Sequence, residues 1–149
     1  MLVAHNYDSI TAFERSVARK GEVTTPFWRD RLIPYLRFAE IDPAEVFFTN
    51  ALMGCKPGSA VGPMPRVPGY EDECGRFLRE QIAIVRPRAL IALGGDAFKC
   101  LRRVAPQATG VMHPGAREFS RLSTRDERLR EQATSLRKAL GLRTPHDSA

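Results

Sequence analysis

A few positions in this 149-residue chain combine residue type and context in ways that permit chemistry. Asn50 closes the run Val46-Phe47-Phe48-Thr49, which carries no polar side chain before Thr49. A carboxamide offers one acceptor and two donors, so it can pair bidentately with an amide-like edge. His113 follows the apolar pair Val111-Met112 and precedes Pro114-Gly115. An imidazole there, neutral or charged, can donate to a developing oxyanion. The polar segment His5-Asn6-Tyr7-Asp8 follows apolar Met1-Leu2-Val3-Ala4, and Asn6 and Asp8 can orient or activate a water. Phe27, just after Pro26, offers an aromatic face on which a planar ring can stack. Each residue taken alone has a plainer reading, favoured at that level. Asn50 then caps a turn, His113 is a loop histidine, Asn6 and Asp8 make Asx turns, and Phe27 is core.

These residues need elements to hold them. Met1-Leu2-Val3-Ala4 reads as the end of a first strand, with the polar segment as the turn after it. A short helix is expected over residues 10–19. Trp28, Leu32, Ile33, Leu36 and Ala39 fall at helical spacing, with Pro34 expected to kink that helix or delay its start. Val46-Phe47-Phe48 is continuously apolar, as in a strand covered on both faces. Residues 54–69 hold eight Gly and Pro and read as a long loop. Residues 70–85 place Tyr70, Cys74, Phe77, Leu78, Ile82 and Val85 on one helical face, and Pro87 ends that helix. Residues 89–93 form a second buried strand. Gly94-Gly95 opens a turn, and Asp96 is expected to cap a helix through Arg103. Val111-Met112 reads as a last short strand. Thr124-Arg125-Asp126-Glu127 fits a capping box that starts a C-terminal helix.

Strands alternating with helices predict a three-layer α/β/α sandwich around a central, mainly parallel four-stranded sheet. Ligands of such sheets bind at the carboxyl ends of the strands. His5-Asn6-Tyr7-Asp8, Thr49-Asn50 and His113-Pro114 all follow predicted strands. That coincidence is the strongest signal in the residues themselves.

Composition narrows the field. The net charge is +6, which favours polyanionic partners because neutralising phosphates releases counterions, although a solvated basic surface explains it equally well. Residues 115–149 hold eight Lys and Arg against five Asp and Glu, so half of the excess lies there. No apolar run approaches the roughly 20 residues of a membrane helix. No basic stretch followed by a long apolar run marks the N-terminus, so a cytoplasmic location is expected. Cys55, Cys74 and Cys100 form no CxxC pair, and their odd number argues against a disulfide framework. Gly94-Gly95 lacks the GxGxxG pattern and the Walker Lys-Ser/Thr, so a nucleotide cofactor has little support.

The order of the clusters resembles that of the uracil-DNA glycosylase superfamily, nearest to its bacterial iron–sulfur branch. The resemblance runs from about residue 3 to residue 115. It is carried by Ala4-His5-Asn6-Tyr7, Pro26-Phe27, Val46 to Asn50, the Gly/Pro-rich loop, Glu71, Glu73 and Cys74, Leu93-Gly94 with Ala97, and His113-Pro114. It implies that Asn6 positions the hydrolytic water. Phe27 would stack on a flipped base, Asn50 would read the uracil edge, and His113 would stabilise negative charge on uracil O2. His5 and Tyr7 would help line the substrate pocket. The chain departs from the family's pattern at Ala4, where the family has glycine, at Tyr7 for proline, and at Gly115 for serine. The iron–sulfur branch uses four cysteines, two of them upstream of the first motif. Only three residues precede Ala4 here, and Cys55 and Cys74 alone cannot hold a cluster, so neither cofactor nor metal is expected.

The expected protein is thus one glycosylase-like domain over residues 1–141 with a flexible tail over 142–149. It would hydrolyse the N-glycosidic bond of a damaged base, uracil in DNA first. Lys56, Arg66 and Arg117 are candidates for holding DNA phosphates. A monomer without membrane attachment is expected. Two further readings stay open: a glycosylase for another damaged base, and a catalytically silent nucleic-acid-binding module on the same fold.

Overall fold

The computed structural model describes residues 1–6, 9–18, 27–55, 67–115 and 124–142. Four parallel strands form the sheet: β1 (Leu2–Asn6), β2 (Phe48–Leu52), β3 (Ile91–Leu93) and β4 (Thr109–Val111), in the order β2-β1-β3-β4. The connections are helical: α1 (Ile10–Ala18) and α2 (Ile33–Phe38) between β1 and β2, α3 (Tyr70–Val85) before β3, and α4 (Gly95–Val104) before β4. Helix α5 (Arg125–Ala139) follows the sheet. This is the three-layer α/β/α arrangement that the alternation predicts.

Strand alternation sorts the core into two layers. Leu2, Ile91 and Leu93 point to one face and pack with Leu32, Tyr35 and Leu36 below the sheet and with Leu129, Ala133 and Leu136 of α5. Val3, Ala51 and Ala92 point to the other face and pack with Leu78 of α3 and with Ala97 and Leu101 of α4. Each fully buried leucine of this kind stabilises the fold by roughly 1.5–3 kcal/mol relative to exposure. From β1 the chain runs to β2 on one side, then passes back across β1 to β3 and on to β4 on the other. The strand order therefore reverses between β1 and β3, and sheets of this kind bind ligands at the carboxyl ends of the strands at such a point.

Two strand boundaries differ from expectation. β1 continues through His5 and Asn6, so these residues belong to the strand and not to the turn after it. β2 runs Phe48–Leu52, which makes Asn50 its central residue and leaves Val46 and Phe47 ahead of it. The apolar run misled because half-exposed Phe47 precedes the first sheet pairing, Leu2 with Phe48. Asp96 does not cap α4: the N-cap is Gly94, without a side-chain bond, and Asp96 pairs instead with Lys99 at 3.3 Å. Phe77, expected on the buried face of α3, is exposed.

As expected of Pro34, the regular helix starts late: α2 begins at Ile33 with Pro34 in its first turn. The chain is already helical at Trp28 and takes a π-helical turn over Trp28–Leu32, with the Ile33 N–H bonded to the Trp28 carbonyl. A proline lacks the N–H and crowds the carbonyl four residues back, here that of Asp30. The wider turn relieves that crowding before the regular helix begins. The predicted capping box stands complete: the Glu127 N–H donates to Thr124 Oγ1 at 3.2 Å and the Thr124 N–H to Glu127 Oε2 at 2.9 Å.

Candidate active site

Register decides which side chains meet. Ala4 pairs with Asn50 and Asn6 with Leu52, so Asn6, Asn50 and Phe48 share one sheet face. It is the face that carries α2 and α5. Thr49 points the other way, its Oγ1 bonded to Gln81 Oε1 of α3 at 3.0 Å. His5 alternates with Asn6 and leaves the sheet on this second face, away from Asn50.

Asn50 is 5% exposed and has no side-chain partner among the described residues. Its amide is not among the fully buried atoms that lack a partner, so water or a ligand can reach it. Two residues earlier on the same face stands Phe48, whose ring lies 6.5 Å from that of Phe27. Phe27 stacks in turn on the His113 imidazole, with ring centres 5.0 Å apart and planes inclined by 19°. Phe27 therefore links the strand that carries Asn50 to the loop that carries His113, although β2 and β4 are opposite edges of the sheet.

The imidazole is firmly defined. The Gly115 N–H donates to His113 Nδ1 at 3.0 Å. An acceptor at Nδ1 puts the proton of neutral imidazole on Nε2, which is then a donor. Burial, and after it the positive charge of Arg31, push His113 below the ordinary imidazole value of 6.5. Two glycines permit this packing. Gly94 has φ +92°, and a Cβ there would stand 3.3 Å from His113 Cβ. A Cβ on Gly115 would stand 3.1 Å from His113 Nδ1. A side chain at position 115 would therefore crowd the imidazole.

Two neighbours escaped the sequence reading. Arg31 Nη1 donates to the Pro114 carbonyl at 3.4 Å. Gln132 Nε2, from α5, donates to the His113 carbonyl at 3.4 Å. Neither bond leaves a trace in local spacing, since the partners lie 83 and 19 residues apart. Tyr7, Asp8, Lys56, Arg66 and Arg117 lie outside the described residues.

Cys74 accepts from the Met53 N–H at 3.4 Å and is hydrogen-bonded to Tyr70, whose phenol also feels Cys55. Two thiols do not make the four-thiolate set of an iron–sulfur cluster. No group of three or more His, Cys, Asp or Glu able to hold a metal ion occurs among the described residues.

No curated protein matches the chain. The sequence model of the Uracil DNA glycosylase superfamily matches residues 15–146. The match takes in Phe27, Asn50, His113 and all of α5, and leaves Ala4 to Tyr7 outside. With nearly the whole chain covered, the protein belongs to the Uracil DNA glycosylase superfamily.

Proposed function

We propose that this protein hydrolyses the N-glycosidic bond of a base flipped out of DNA, with uracil as the base. Family membership supports a DNA glycosylase-like function in general. The observation that carries the finer reading is Phe27, in ring contact both with Phe48 beside Asn50 and with His113.

A base inside a duplex hides its glycosidic bond, so the nucleotide must be extruded at a cost of a few kcal/mol. The base enters by opening the Phe27–His113 stack. It exchanges one ring-on-ring contact, worth about 0.5–1.5 kcal/mol, for another. Asn50 pairs with N3–H and O4 of uracil. The C1′–N1 bond then breaks with its electron pair going to the base, whose negative charge spreads onto O2. His113 donates from Nε2 to that oxygen. One preorganised donor of this kind contributes roughly 3–4 kcal/mol to the barrier reduction. Asn6, on the same face as Asn50, places the water that adds to C1′. Lys56, Arg66 and Arg117 hold flanking phosphates. The protein acts as a cytoplasmic monomer.

Incubation with uracil-containing single- and double-stranded oligonucleotides, followed by abasic-site cleavage, tests this reading. The expected result is uracil-dependent strand scission. Its absence at stoichiometric enzyme removes uracil as the substrate.

The family match begins after Ala4 to Tyr7, and this favours keeping two other readings in the test. A panel of other damaged bases identifies an altered specificity. Salt-sensitive DNA binding without any product, unchanged in His113→Ala, identifies a silent binding module.

A further inference from the structure

We propose that Gln132 and Arg31 are positioning residues for His113, gripping the two successive carbonyls of the His113–Pro114 turn from α5 and from the π-helical turn. The inference rests on the reading of His113 as the donor to the departing base.

The turn carries the Phe27–His113 stack and the Gly115 N–H bond to Nδ1. It follows β4 and lies in no regular element, and Pro114 has no N–H to donate. Each of its two carbonyls accepts one side-chain donor, at 3.4 Å in both cases. Each bond is long and adds little strength by itself, but the two approach adjacent carbonyls from different elements. Together with the Gly115 N–H on Nδ1, they restrain His113 at its carbonyl, its ring and the next residue.

Gln132 is the more telling of the two. It is 2% exposed and sits on α5 among Leu129, Ala133 and Leu136, which are core residues. Its Oε1 is buried without a hydrogen-bond donor among the described residues. The amide cannot be turned over, since that would set its oxygen against the His113 carbonyl. An apolar residue of the same shape would serve the core better, because a half-satisfied buried amide is worse than none. A half-satisfied buried amide at the back of a candidate site costs stability and calls for a functional explanation. Arg31 adds a second effect: its charge stands close enough to disfavour the imidazolium form.

The test uses Gln132→Met, Arg31→Met and Arg31→Lys in the full chain. Gln132→Met keeps the shape and removes both the donor and the orphan acceptor. It is expected to melt at or above the wild-type temperature while single-turnover base release slows about 10- to 100-fold, the scale of a misplaced catalytic group. Binding of uncleaved DNA is expected to stay unchanged. Arg31→Met is expected to slow release and to raise the His113 pKa, read from imidazole 15N shifts. Arg31→Lys, which keeps a charge and a donor, is expected to restore most of both. Wild-type rates and wild-type His113 spectra in both Met variants would overturn the assignment. So would a Gln132→Met protein that melts lower or does not fold, because the amide would then be structural. Should the wild type release no base while both Met variants still shift the His113 signals, the positioning role stands and the excision reading falls.

Discussion

His113 is held by the Gly115 N–H at Nδ1 and by the Phe27 ring on its face. A neutral imidazole accepts at Nδ1 and donates from Nε2, and protonation would set a new N–H at Nδ1 against the Gly115 N–H and release the ring from its catalytic position. Its pKa lies below 6.5, so activity should be flat at neutral pH and fall only at a pH below 6.5. The same shift acts on stability. As pH falls below 6.5 the unfolded chain takes up the proton first, so the His113 contribution to stability is present above 6.5 and is lost as pH drops toward the folded-state value. A Tm profile of the wild type should decline through this window more steeply than that of His113→Gln. Parallel profiles would contradict the buried, neutral state. The sequence singled out His113, Asn50 and Phe27 by residue type and immediate neighbours, which are local information, and the ring contacts now tie Phe27 to His113 and to Phe48 on the strand of Asn50. The sequence hid Arg31 and Gln132 because donors to a backbone carbonyl across the fold obey no spacing rule.

At the scale of elements, periodicity gave helices well and strand register poorly. Residues 70–85 were legible as a helix because sixteen residues repeat one pattern, and α3 spans Tyr70–Val85. β2 was placed too early because a five-residue strand offers few turns of its period, and Asn50 has weak strand preference of its own. The correction strengthens the site: a mid-strand asparagine is aimed by the sheet, whereas a turn asparagine is not. Two elements yield stability predictions. Gly94 ends β3 at positive φ against His113, so Gly94→Ala should cost about 1–3 kcal/mol and disturb the His113 spectrum. Denaturant unfolding checks the first part, and a cost under 0.5 kcal/mol, the scale of neutral substitutions, would show that the turn relaxes freely. Arg137 of α5 is almost buried and donates to the Ala39 carbonyl at 2.9 Å and to Glu40, tying α5 to the end of α2. Arg137→Ala should therefore cost about 1.5–3 kcal/mol, the worth of a charged hydrogen bond, with a matching loss of thermal stability by calorimetry.

For the molecule as a whole, strand order picks out one edge of the sheet. The sheet order β2-β1-β3-β4 reverses between β1 and β3, and Asn6 and Gly94 flank that reversal. The alternation of elements made the layer architecture readable, but strand order is a long-range property and needed the structure. The excess of positive charge predicts DNA binding whose affinity falls linearly with the logarithm of salt. Substituting any one of Lys56, Arg66 or Arg117 by Ala should reduce that slope by about 1, as measured by fluorescence anisotropy of an uncleaved oligonucleotide. An unchanged slope in all three would move the phosphate contacts elsewhere.

The central claim is that Phe27, Asn50 and His113 form one pocket that excises a base. Its most direct measurement is the release of free uracil from a uracil-containing oligonucleotide under single-turnover conditions, for the wild type and for His113→Ala. The account predicts release by the wild type and a rate about 10²–10³-fold lower in a folded His113→Ala protein. Release at the same rate by both proteins would contradict it.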